Sequence, residues 1–579
     1  MFRHSHLTAF LAALVSASAA GGCGDDASSS DPTTTTQTTG TGGNPAGGSP
    51  STGSSTGGTG GQAPQRYPVS VVVRGLEGRL VITLDGETID ITGQAEAPPT
   101  EATFPTELGD GASYEVSVES DPPLQTCALA EPTGVVAGAA VTLDIDCGNH
   151  LLFAGTDGTD GSEVYATDGT AAGTRRIAEI EPGSAGSFPQ RFTSLGNGRW
   201  VFSAVRADLG RELFVTDGTA AGTTAVRDIR NGTDGSFPQD LVRVGARVLF
   251  SAGDDAGGAE VWRTDGTSAG TVAVSDGINP GPTSTDPSEL TQVGEELFFV
   301  AEVGSFRRLY AVRDDDTVDL VRPNLSMPRA LTAVDGRLFL AGIDLPVSGS
   351  SGSELWVSDG TETGTGMVAD IRSGGTGSGP ERLTAFDGRL VFAANDGLAG
   401  RELWVSDGTT AGTQRVADLT AGPAGSSISA LNIATDGGAL FIITTTTFGT
   451  ELWVSDGTEA GTQRLTDIAP AGLSASFQAP SRLADGAVLL RTRDASADVT
   501  ALWRTDGSVA GTTLVRAFAA PDRIESLLGH ALDRPCYLIE SAGAGGELWC
   551  SDGTPTGTSQ VLDLCPGACG QNQAQMEDE

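Results

Sequence analysis

Residues 402–413 read ELWVSDGTTAGT, and this stretch recurs along the chain at a nearly constant interval. Full copies begin at Glu163, Glu212, Glu260, Glu354, Glu402, Glu451 and Glu547, and weaker copies begin at Arg308 and Ala501. Neighbouring copies start 46 to 50 residues apart. An interval of this length indicates one supersecondary unit per repeat, whose apolar face is buried only when neighbouring units stack.

The copy over residues 390–437 shows what one unit contains. Its apolar runs are LVFAA (390–394), ELWVSD (402–407), QRVADL (414–419) and ISALNIATDG (428–437). Four short strands joined by turns within about 48 residues are typical of one propeller blade. In the Arg308 copy only residues 314–316 separate the second strand from the third, so these strands must be antiparallel neighbours, and the DGT loop of the other copies must project outward.

The sequence therefore predicts an all-β β-propeller of nine four-stranded repeats, or of eight if the Arg308 unit packs irregularly. We expect a closed ring, because exposed edge strands invite aggregation. Counted from His150, the first unit is complete, whereas the ninth ends near Leu564 without a fourth strand. The run VTLDID (141–146) either fills that gap or belongs to the preceding domain.

Three further segments surround the ring, which we assign to residues 149–569. Residues 67–148 contain short runs with period-two alternation, which predict a small antiparallel β-sandwich. Residues 23–66 are Ser, Thr, Gly and Pro with almost no apolar side chains, so we expect a disordered tether. Residues 570–579 are expected to be a disordered tail.

The N-terminus predicts export. Residues 1–22 have a short basic start and an apolar stretch that is too short to span a bilayer comfortably. The string AGGC at 20–23 resembles a bacterial lipobox, which implies that Cys23 is lipidated. A plain secretory signal cleaved near Ala20 is the alternative. The expected location is the bacterial cell envelope outside the cytoplasm, at the outer membrane or cell surface.

The other cysteines fit an oxidising location. Seven cysteines less the lipidated one leave six, and Cys127 with Cys147 are expected to form a disulfide. A hairpin centred on residue 543 would place Cys536 opposite Cys550. Cys565 and Cys569 flank a short turn and form the third expected pair. Other pairings among the last four remain open, and a CxxxC metal knot is the functional rival.

Each repeat carries an aspartate in its DGT loop, namely Asp168, Asp217, Asp265, Asp359, Asp407, Asp456, Asp506 and Asp552. Such an aspartate can accept hydrogen bonds from backbone N–H groups two or three residues later, and the following glycine allows a positive φ. A structural turn role is therefore expected. Calcium is the alternative cofactor, but it needs six to eight oxygens from converging ligands, and one aspartate per unit supplies few.

The repeated aromatic and glutamate positions also have structural explanations. The aromatic position holds Tyr165, Phe214, Trp262, Tyr310, Trp356, Trp404, Trp453, Trp503 and Trp549, which we expect to pack between blades rather than to stack on sugars. We expect the repeated glutamate to pair with arginine or with backbone groups between blades.

Formal charge narrows the classes of partner. The chain has 34 basic and 74 acidic residues, a net charge of −40. Nucleic acids and anionic lipids are bound chiefly by cationic side chains, so both are unlikely partners for this surface. Membrane contact is expected through the lipid anchor only.

The string ELWVSDGTxAGT resembles the signature of the bacterial ELWxxDGT repeat family, whose members are exported and often lipid-anchored. The resemblance covers about residues 149–565 and implies a repeat array of propeller form, without a known reaction or ligand. The DGT turn is also similar to the Asp-box of sialidase-type propellers, in which the aspartate is structural. No arginine triad or tyrosine nucleophile of a sialidase can be identified by spacing.

These observations predict a surface-displayed, non-catalytic binding or scaffold module. Loops on one rim would recognise an envelope polysaccharide or protein, and no catalytic residue or metal site is assigned. The alternative is a propeller hydrolase or lyase acting on an extracellular polysaccharide, with Asp254, Asp255 or Asp396 as acid-base groups in the variable loops.

Overall fold

The computed structural model describes residues 65–565, except residue 96 and residues 256–257, 280–283, 346–350, 446, 467–474, 495–498 and 542–544. The predicted signal peptide, Cys23, nearly all of the tether, Cys569 and the tail at 570–579 lie outside the described residues. Every regular element in the described part is a β-strand. In that part of the chain no helix has the length and apolar character needed to cross a membrane.

A sandwich precedes the ring. Its strands are β1 (Arg66–Tyr67), β2 (Val69–Arg74), β3 (Gly78–Leu84), β4 (Glu87–Gly93), β5 (Thr100–Thr103), β6 (Leu108–Gly109), β7 (Ser113–Ser120), β8 (Gln125–Leu129), β9 (Thr133–Val135) and β10 (Val141–Asn149). Two four-stranded sheets, ordered β5-β2-β10-β8 and β4-β3-β7-β9, enclose one apolar core. The sandwich is not wholly antiparallel as predicted, because β10 pairs with β2 in parallel.

Nine sheets follow the sandwich, numbered here in chain order. Sheet 1 contains β11 (Leu151–Gly155), β12 (Glu163–Thr167) and β13 (Arg175–Ala178). Sheet 2 contains β14 (Gln190–Ser194), β15 (Trp200–Arg206), β16 (Gly210–Thr216) and β17 (Thr224–Arg227). Sheet 3 contains β18 (Gln239–Val244), β19 (Arg247–Gly253), β20 (Ala259–Thr264) and β21 (Val272–Ala273). Sheet 4 contains β22 (Ser288–Val293), β23 (Glu296–Val303), β24 (Phe306–Val312) and β25 (Val318–Leu320). Sheet 5 contains β26 (Leu325–Val334), β27 (Arg337–Asp344), β28 (Ser353–Ser358) and β29 (Gly366–Ala369). Sheet 6 contains β30 (Glu381–Phe386), β31 (Arg389–Asn395), β32 (Arg401–Ser406) and β33 (Gln414–Arg415). Sheet 7 contains β34 (Ser427–Thr435), β35 (Gly438–Thr445), β36 (Gly449–Ser455) and β37 (Gln463–Arg464). Sheet 8 contains β38 (Ala475–Arg482), β39 (Val488–Asp494), β40 (Val499–Thr505) and β41 (Thr513–Ala519). Sheet 9 contains β42 (Arg523–Ala531), β43 (Arg534–Ser541), β44 (Gly545–Cys550) and β45 (Ser559–Asp563).

The sheet boundary differs from the predicted repeat boundary by one strand. The run ISALNIATDG was expected to be the fourth strand of its own unit, but it forms β34, the first strand of the next sheet. The loop at 418–426 therefore passes from one sheet to the next. Sequence periodicity fixes the length of a repeat but not the point at which one sheet ends, because any starting strand gives the same period.

Consecutive sheets pack face to face through apolar side chains. Val391 and Leu403 of sheet 6, for example, share a buried cluster with Phe441 and Ile443 of sheet 7. Equivalent clusters join every consecutive pair from sheet 1 to sheet 9. Full burial of one such side chain stabilises the fold by about 1.5–3 kcal/mol, so each interface contributes strongly.

Sheet 9 also packs against sheet 1, which closes the cycle. Leu151 shares a buried cluster with Leu548 and Leu564. Beside it, the backbone N–H of Leu532 donates to the C=O of Asn149 at 3.0 Å. The prediction of a propeller with nine four-stranded units is thus confirmed, except that sheet 1 has three strands.

The ring closes without exchange of a strand between the chain ends. The short sheet is sheet 1 and not the ninth as predicted, because each sheet begins one strand earlier than the predicted unit. The run VTLDID lies in β10 and pairs only within the sandwich. Apolar packing rather than a shared strand therefore joins the two ends.

The first strands of sheets 2 to 9 contact one another in sequence, so they lie nearest the axis and are called the inner strands here. β11 contacts both β14 and β42 and completes the circle. Antiparallel order places the DGT loops and the turns after the inner strands on one face, called the DGT face. The loops between sheets and the hairpins at 395–401 and 445–449 lie on the opposite face, called the groove face.

The sandwich rests on the DGT face beside sheets 1 and 2. The hydroxyl of Ser194 donates to Glu77 Oε2 at 2.7 Å, and the backbone N–H of Ala95 donates to the C=O of Gly196 at 2.8 Å. Arg175 Nη2 donates to the C=O of Pro123 at 2.7 Å. No such contact involves the groove face in the described part of the chain.

Two of the expected disulfides are present. Cys127 bonds to Cys147 in the sandwich, and Cys536 bonds to Cys550 across a directly paired position of β43 and β44. Cys565 is disulfide-bonded as well, and its expected partner Cys569 lies outside the described residues. Disulfides are typical of proteins that fold outside the reducing cytoplasm, which agrees with an extracytoplasmic location.

Candidate functional site: the channel and the groove face

The repeated aspartate folds its own loop. Asp407 Oδ1 accepts hydrogen bonds from the backbone N–H of Thr409 at 2.8 Å and from its hydroxyl at 2.7 Å. The Thr409 hydroxyl in turn accepts from the N–H of Gly412 at 3.0 Å. Bonds from Thr409 lower the pKa of Asp407 below its ordinary value. The same bonds to the residue two positions later occur at Asp168, Asp217, Asp265, Asp359, Asp456, Asp506 and Asp552.

The geometry of the loop requires glycine at both of its glycine positions. Gly408 has a φ of +88°, a backbone conformation that residues other than glycine rarely adopt. A Cβ on Gly412 would lie 2.1 Å from Asp407 Oδ1, where no atom fits. The motif DGTxxGT is therefore accounted for by loop geometry. Among the described residues, no group of three or more His, Cys, Asp and Glu side chains could hold a metal ion.

The clash at Gly412 leads to a coupled pair of substitutions. Gly412→Ala should lower the free energy of unfolding by about 1–3 kcal/mol, because the new methyl group overlaps the Asp407 carboxylate. In an Asp407→Ala background the same change should cost clearly less, because the overlapping group is gone. Urea denaturation of the four proteins measures this coupling. Gly366→Ala, which meets nothing within 4 Å, is the control and should be nearly neutral. Equal costs in both backgrounds would contradict the geometric account.

The repeated glutamate is a buried anchor for the loop between sheets. Glu354 is fully buried, and its carboxylate accepts from the N–H groups of Ile371 and Arg372 at 3.2 Å each. Ser378 donates its N–H at 2.7 Å and its hydroxyl at 2.5 Å. Of the two kinds of partner expected, backbone groups are present in these bonds and arginine side chains are absent. Backbone and hydroxyl donors replace them, because a buried carboxylate needs several short-range donors that the adjacent loop supplies.

Equivalent carboxylates occupy the same place in other sheets. Glu163, Glu212, Glu260, Glu402 and Glu451 are buried, and each accepts hydroxyl or backbone donors from the loop that follows. Burial raises the pKa of Glu354 and of four of these carboxyls, Glu163, Glu212, Glu260 and Glu402. For Glu402, whose donors lie 3.0–3.4 Å away, burial raises the pKa to about 7.

Glu402 should therefore make stability depend on pH. The folded protein holds the Glu402 proton more tightly than the unfolded chain, so this stabilising contribution is present below about pH 4.5 and is lost as pH rises to about 7. Glu402→Gln removes this pH dependence, because a glutamine side chain does not titrate. The Ser426 hydroxyl can accept a hydrogen bond from the new amide, so the loop keeps a partner. Between pH 4.5 and pH 7.5, the free energy of unfolding of the variant, measured by thermal unfolding, should rise by roughly 1–3 kcal/mol relative to that of the wild-type protein. Glu362→Gln, at an exposed loop position, should follow the wild-type curve. A constant difference between Glu402→Gln and wild type across this range would refute the prediction.

The repeated aromatic residues lie within the sheets. Trp262, Trp356, Trp453, Tyr165 and Phe214 are buried, and Trp404, Trp503, Trp549 and Tyr310 are half-buried. Arg322 stacks 5.5 Å from the Trp356 ring, and Arg516 stacks 4.4 Å from the Trp549 ring. Such contacts occupy the ring faces that a sugar would use.

The inner strands share a bulge near their starts. In sheets 2 to 7 the register to the second strand shifts there. One residue at each bulge has a positive φ: Arg191 (60°), Asp240 (51°), Glu289 (56°), Ala330 (56°), Arg382 (57°) and Asn432 (52°). This backbone is unfavourable for arginine, glutamate or alanine, so the sheet must impose it. Six equivalent side chains are thereby presented around the axis.

Charge is balanced at some of these positions but not at all of them. Arg191 Nη1 lies 3.8 Å from Asp240 Oδ1 of the next sheet. At the equivalent bulges of the two sheets next to that of Arg382, the residues are Ala330 and Asn432, which carry no charge. Within the described residues, no hydrogen-bond acceptor or carboxylate contacts the guanidinium of Arg382. An unpaired, exposed cation in a chain with a net charge of −40 is a candidate for anion binding.

Two cavities meet at Arg382. The channel pocket has a volume of about 770 Å³ and is lined by inner-strand residues 289–291, 330–333, 382–385, 432–434 and Arg482. The rim groove has a volume of about 640 Å³ and lies between sheets 6 and 7, lined by residues 381–382, Asn395, Arg401, 424–429 and 444–445. Arg382 lines both of them.

Neither of the two described histidines lines either cavity. His530 Nε2 lies 2.9 Å from the Ser481 hydroxyl and 2.8 Å from the C=O of Arg482. A carbonyl only accepts, so Nε2 carries the proton and cannot take one from Ser481. His150 is buried and contacts the Thr126 hydroxyl through Nε2 at 2.9 Å, and burial lowers its pKa.

The three aspartates suggested for polysaccharide cleavage do not converge. Asp254 and Asp255 follow β19 of sheet 3, whereas Asp396 follows β31 of sheet 6. Asp255 accepts from the backbone N–H of Asn231 at 2.9 Å, and Asp396 accepts from the N–H of Leu398 at 2.8 Å. Asp396 therefore supports a local turn, and Asp255 joins its hairpin to the loop that contains Asn231.

The sequence reading missed Arg382. A signal exists: the residue with a positive φ follows a proline by two positions in PQR (189–191), PQD (238–240), PSE (287–289), PRA (328–330) and PER (380–382). Aligning these segments on the proline would have identified a position whose charge changes from repeat to repeat. Its place on the channel depends on the sheet boundary, which periodicity alone left open.

No protein-family model matches the chain, and none of the curated proteins matches it. Several solved structures are similar. A puromycin hydrolase is 16% identical over 56% of this chain and 53% of its own, with a TM-score of 0.31. A prolyl endopeptidase is 15% identical over 62% and 54%, with a TM-score of 0.35. The β-propeller domain of the trilobed protease from Pyrococcus furiosus is 11% identical over 66% and 99%, with a TM-score of 0.35.

The chain spans about half the length of the puromycin hydrolase and of the prolyl endopeptidase. These matches are the finding that corrects the prediction of a non-catalytic binding or scaffold module, since they are named as peptidases and hydrolases. The prediction was wrong because it took the lack of a catalytic motif in the repeats as evidence about activity. Repeated residues maintain the fold, and they carry no information about the reaction.

Proposed function

We propose that this protein takes part in peptide hydrolysis outside the cytoplasm, with an extended segment of the substrate polypeptide held in the channel pocket. One observation carries the proposal. Each described inner strand pairs with a single neighbour, on the side away from the axis, so its other edge turns backbone N–H and C=O groups toward the channel. Extended peptides add to such edges through main-chain hydrogen bonds.

Two further features support a polypeptide ligand. The channel pocket, at about 770 Å³, is of the size that usually encloses small ligands, and here it would hold a short segment of a longer chain. Its lining offers the hydroxyls of Thr291 and Thr332, whereas the intervening Leu290 and Leu331 pack in the clusters between sheets. Hydroxyl groups beside the free strand edges add donors and acceptors for the main chain of an extended peptide.

Cleavage of peptides by the full-length protein tests this proposal. An internally quenched peptide library, read by fluorescence and mass spectrometry, should reveal products with the wild-type protein. Ala385→Trp fills the channel pocket and should reduce cleavage at least tenfold. Ala411→Trp, at an exposed position of a DGT loop outside both cavities, is the matched control and should retain cleavage. Absence of any product, or full activity of Ala385→Trp, would refute the proposal.

We further propose that the chain belongs to the ELWxxDGT repeat family and that a lipid on Cys23 anchors it in the cell envelope. The near-identical copies at Glu354, Glu402 and Glu451 support the first part. The apolar N-terminal stretch, the AGGC string and the long polar segment that follows support the second.

Lipid anchoring predicts a clear fractionation result. Cys23→Ser should move the protein from the membrane fraction to the soluble extracytoplasmic fraction, because a diacylated cysteine supplies the membrane affinity. Immunoblots of fractionated cells provide the measurement, and Ser28→Ala in the same polar segment is the control. Membrane retention of Cys23→Ser would exclude the anchor.

A further inference from the structure

We propose that the rim groove binds the C-terminal carboxylate of a polypeptide, with Arg382 receiving the carboxylate and an apolar last side chain lying beside it. The inference rests on the proposed function and names its substrate class. It is carried by the charge pattern around the channel, by the donors of the groove and by the apolar tips that flank it.

The charge pattern singles out Arg382. Arg191 and Arg382 occupy equivalent bulges of β14 and β30, with φ values of 60° and 57°. Asp240, at the equivalent bulge of the next sheet, lies 3.8 Å from Arg191. The residue at that bulge in the sheet after Arg382 is Asn432. The same scaffold thus presents one compensated and one uncompensated guanidinium, and the uncompensated one faces both cavities.

The groove around Arg382 offers donors rather than competing acids. Its nearest carboxylate in sequence, Glu381, lies 2.5 Å from Arg401 Nη1 in an ion pair. Asn395 Oδ1 accepts from the N–H of Gly397 at 2.7 Å, and its amide N–H groups have no partner among the described residues, so they can donate to a ligand. Ser427 adds a hydroxyl to the same lining. A guanidinium with neutral N–H and O–H donors matches a carboxylate, whose two oxygens only accept.

Apolar side chains flank the groove. Leu398, at the tip of the β31–β32 hairpin of sheet 6, is 81% exposed. Phe448, at the tip of the corresponding hairpin of sheet 7, is 40% exposed, and its N–H donates to the hydroxyl of Thr445, which lines the groove. Arg464 lies 4.5 Å from the centroid of the Phe448 ring, so the exposed Leu398 is the apolar surface left beside the groove, and it favours a ligand that carries an apolar group beside its charge.

The position of Arg382 favours a chain end over an acidic side chain. Arg382 lies where the channel pocket meets the groove, so a segment laid along the inner-strand edges would reach the guanidinium at the mouth of the channel. A carboxylate that ends the chain fits there without further polypeptide to accommodate. An aspartate or glutamate side chain has the same charge, and the experiment distinguishes the two sources.

Binding of three fluorescent decapeptides to the full-length protein tests the inference. The first ends in leucine with a free carboxylate, the second is its C-terminal amide, and the third is the amide with one internal glutamate. The wild-type protein should bind the first at least tenfold more tightly than the second and third, because a charge-assisted bidentate contact is lost in both. Fluorescence anisotropy gives the Kd values.

Matched variants assign this preference to Arg382. Arg382→Gln should abolish the tenfold preference, whereas Arg191→Gln should keep it. Asn432→Asp rebuilds next to Arg382 the arrangement seen at Arg191 and Asp240, and it should also remove the preference without truncating the arginine. Aspartate tolerates the left-handed backbone at that position, so this variant remains informative if Arg382→Gln folds poorly.

Each outcome is decisive. Preference retained by both Arg382→Gln and Asn432→Asp would overturn the assignment, as would binding of the glutamate-bearing amide as tightly as the free acid. Peptide binding that ignores the carboxylate in the wild-type protein would overturn this inference and leave the proposed function standing. Failure to bind or cleave any peptide would overturn both.

Discussion

Glu354→Ala is expected to lower the free energy of unfolding by about 3–5 kcal/mol. The carboxylate is fully buried and accepts four donors from the loop between sheets 5 and 6. Alanine leaves the N–H groups of Ile371, Arg372 and Ser378 without this acceptor, and each unsatisfied buried group costs about 1–3 kcal/mol. Relief from burying a charge offsets part of the loss, since burial raises the pKa of Glu354.

Chemical denaturation at pH 7 measures this effect. Glu362→Ala, in the exposed DGT loop of the same sheet, is the matched control and should change stability by less than about 0.5 kcal/mol. Hydrogen exchange should show faster exchange at residues 371–378 in Glu354→Ala, because those amides lose their acceptor. A loss of stability no larger than that of the control would mean that the glutamate does not anchor the loop.

Replacing both Cys536 and Cys550 with alanine should lower stability by about 3 kcal/mol. The bond closes a short segment, with a sequence separation of 14, and a loop of this length is worth about that much in chain entropy. Both sulfurs are also buried in the apolar cluster that joins sheet 9 to sheet 1. Loss of the bond should therefore loosen the place where the ring closes.

Hydrogen exchange locates the effect. In the Cys536→Ala/Cys550→Ala protein, amides of β11 should exchange faster, because β11 packs on sheet 9. The control is Cys127→Ala/Cys147→Ala, which removes the sandwich disulfide and should speed exchange in β8 and β10 instead. Unchanged exchange in β11 would show that the ring closure does not depend on the hairpin that this disulfide holds.

Local features of the fold were predictable because their causes are local. The DGT loop is specified by Asp407, Thr409 and Gly412 within six residues, and each contact follows from the geometry of a turn. The pairing of Cys536 with Cys550 followed from the centre of one hairpin. Such features need no knowledge of neighbouring sheets.

Features that depend on the assembled ring were not predictable in the same way. The strand at 427–435 was assigned to the wrong sheet, because its partner is chosen by packing and not by periodicity. The glutamate partners were predicted too broadly, since the loop donors at 371–378 come together only when two sheets are joined. Arg382 acquires its importance from Ala330 and Asn432, which lie about 50 residues away in each direction.

The most direct test of the closed ring is experimental electron density where residues 149–155 meet residues 531–564. The account predicts side-chain density for Leu151 packed against Leu548, and a hydrogen bond from the N–H of Leu532 to the C=O of Asn149. Density in which solvent separates β11 from sheet 9, or in which fewer than nine sheets surround the channel, would contradict it.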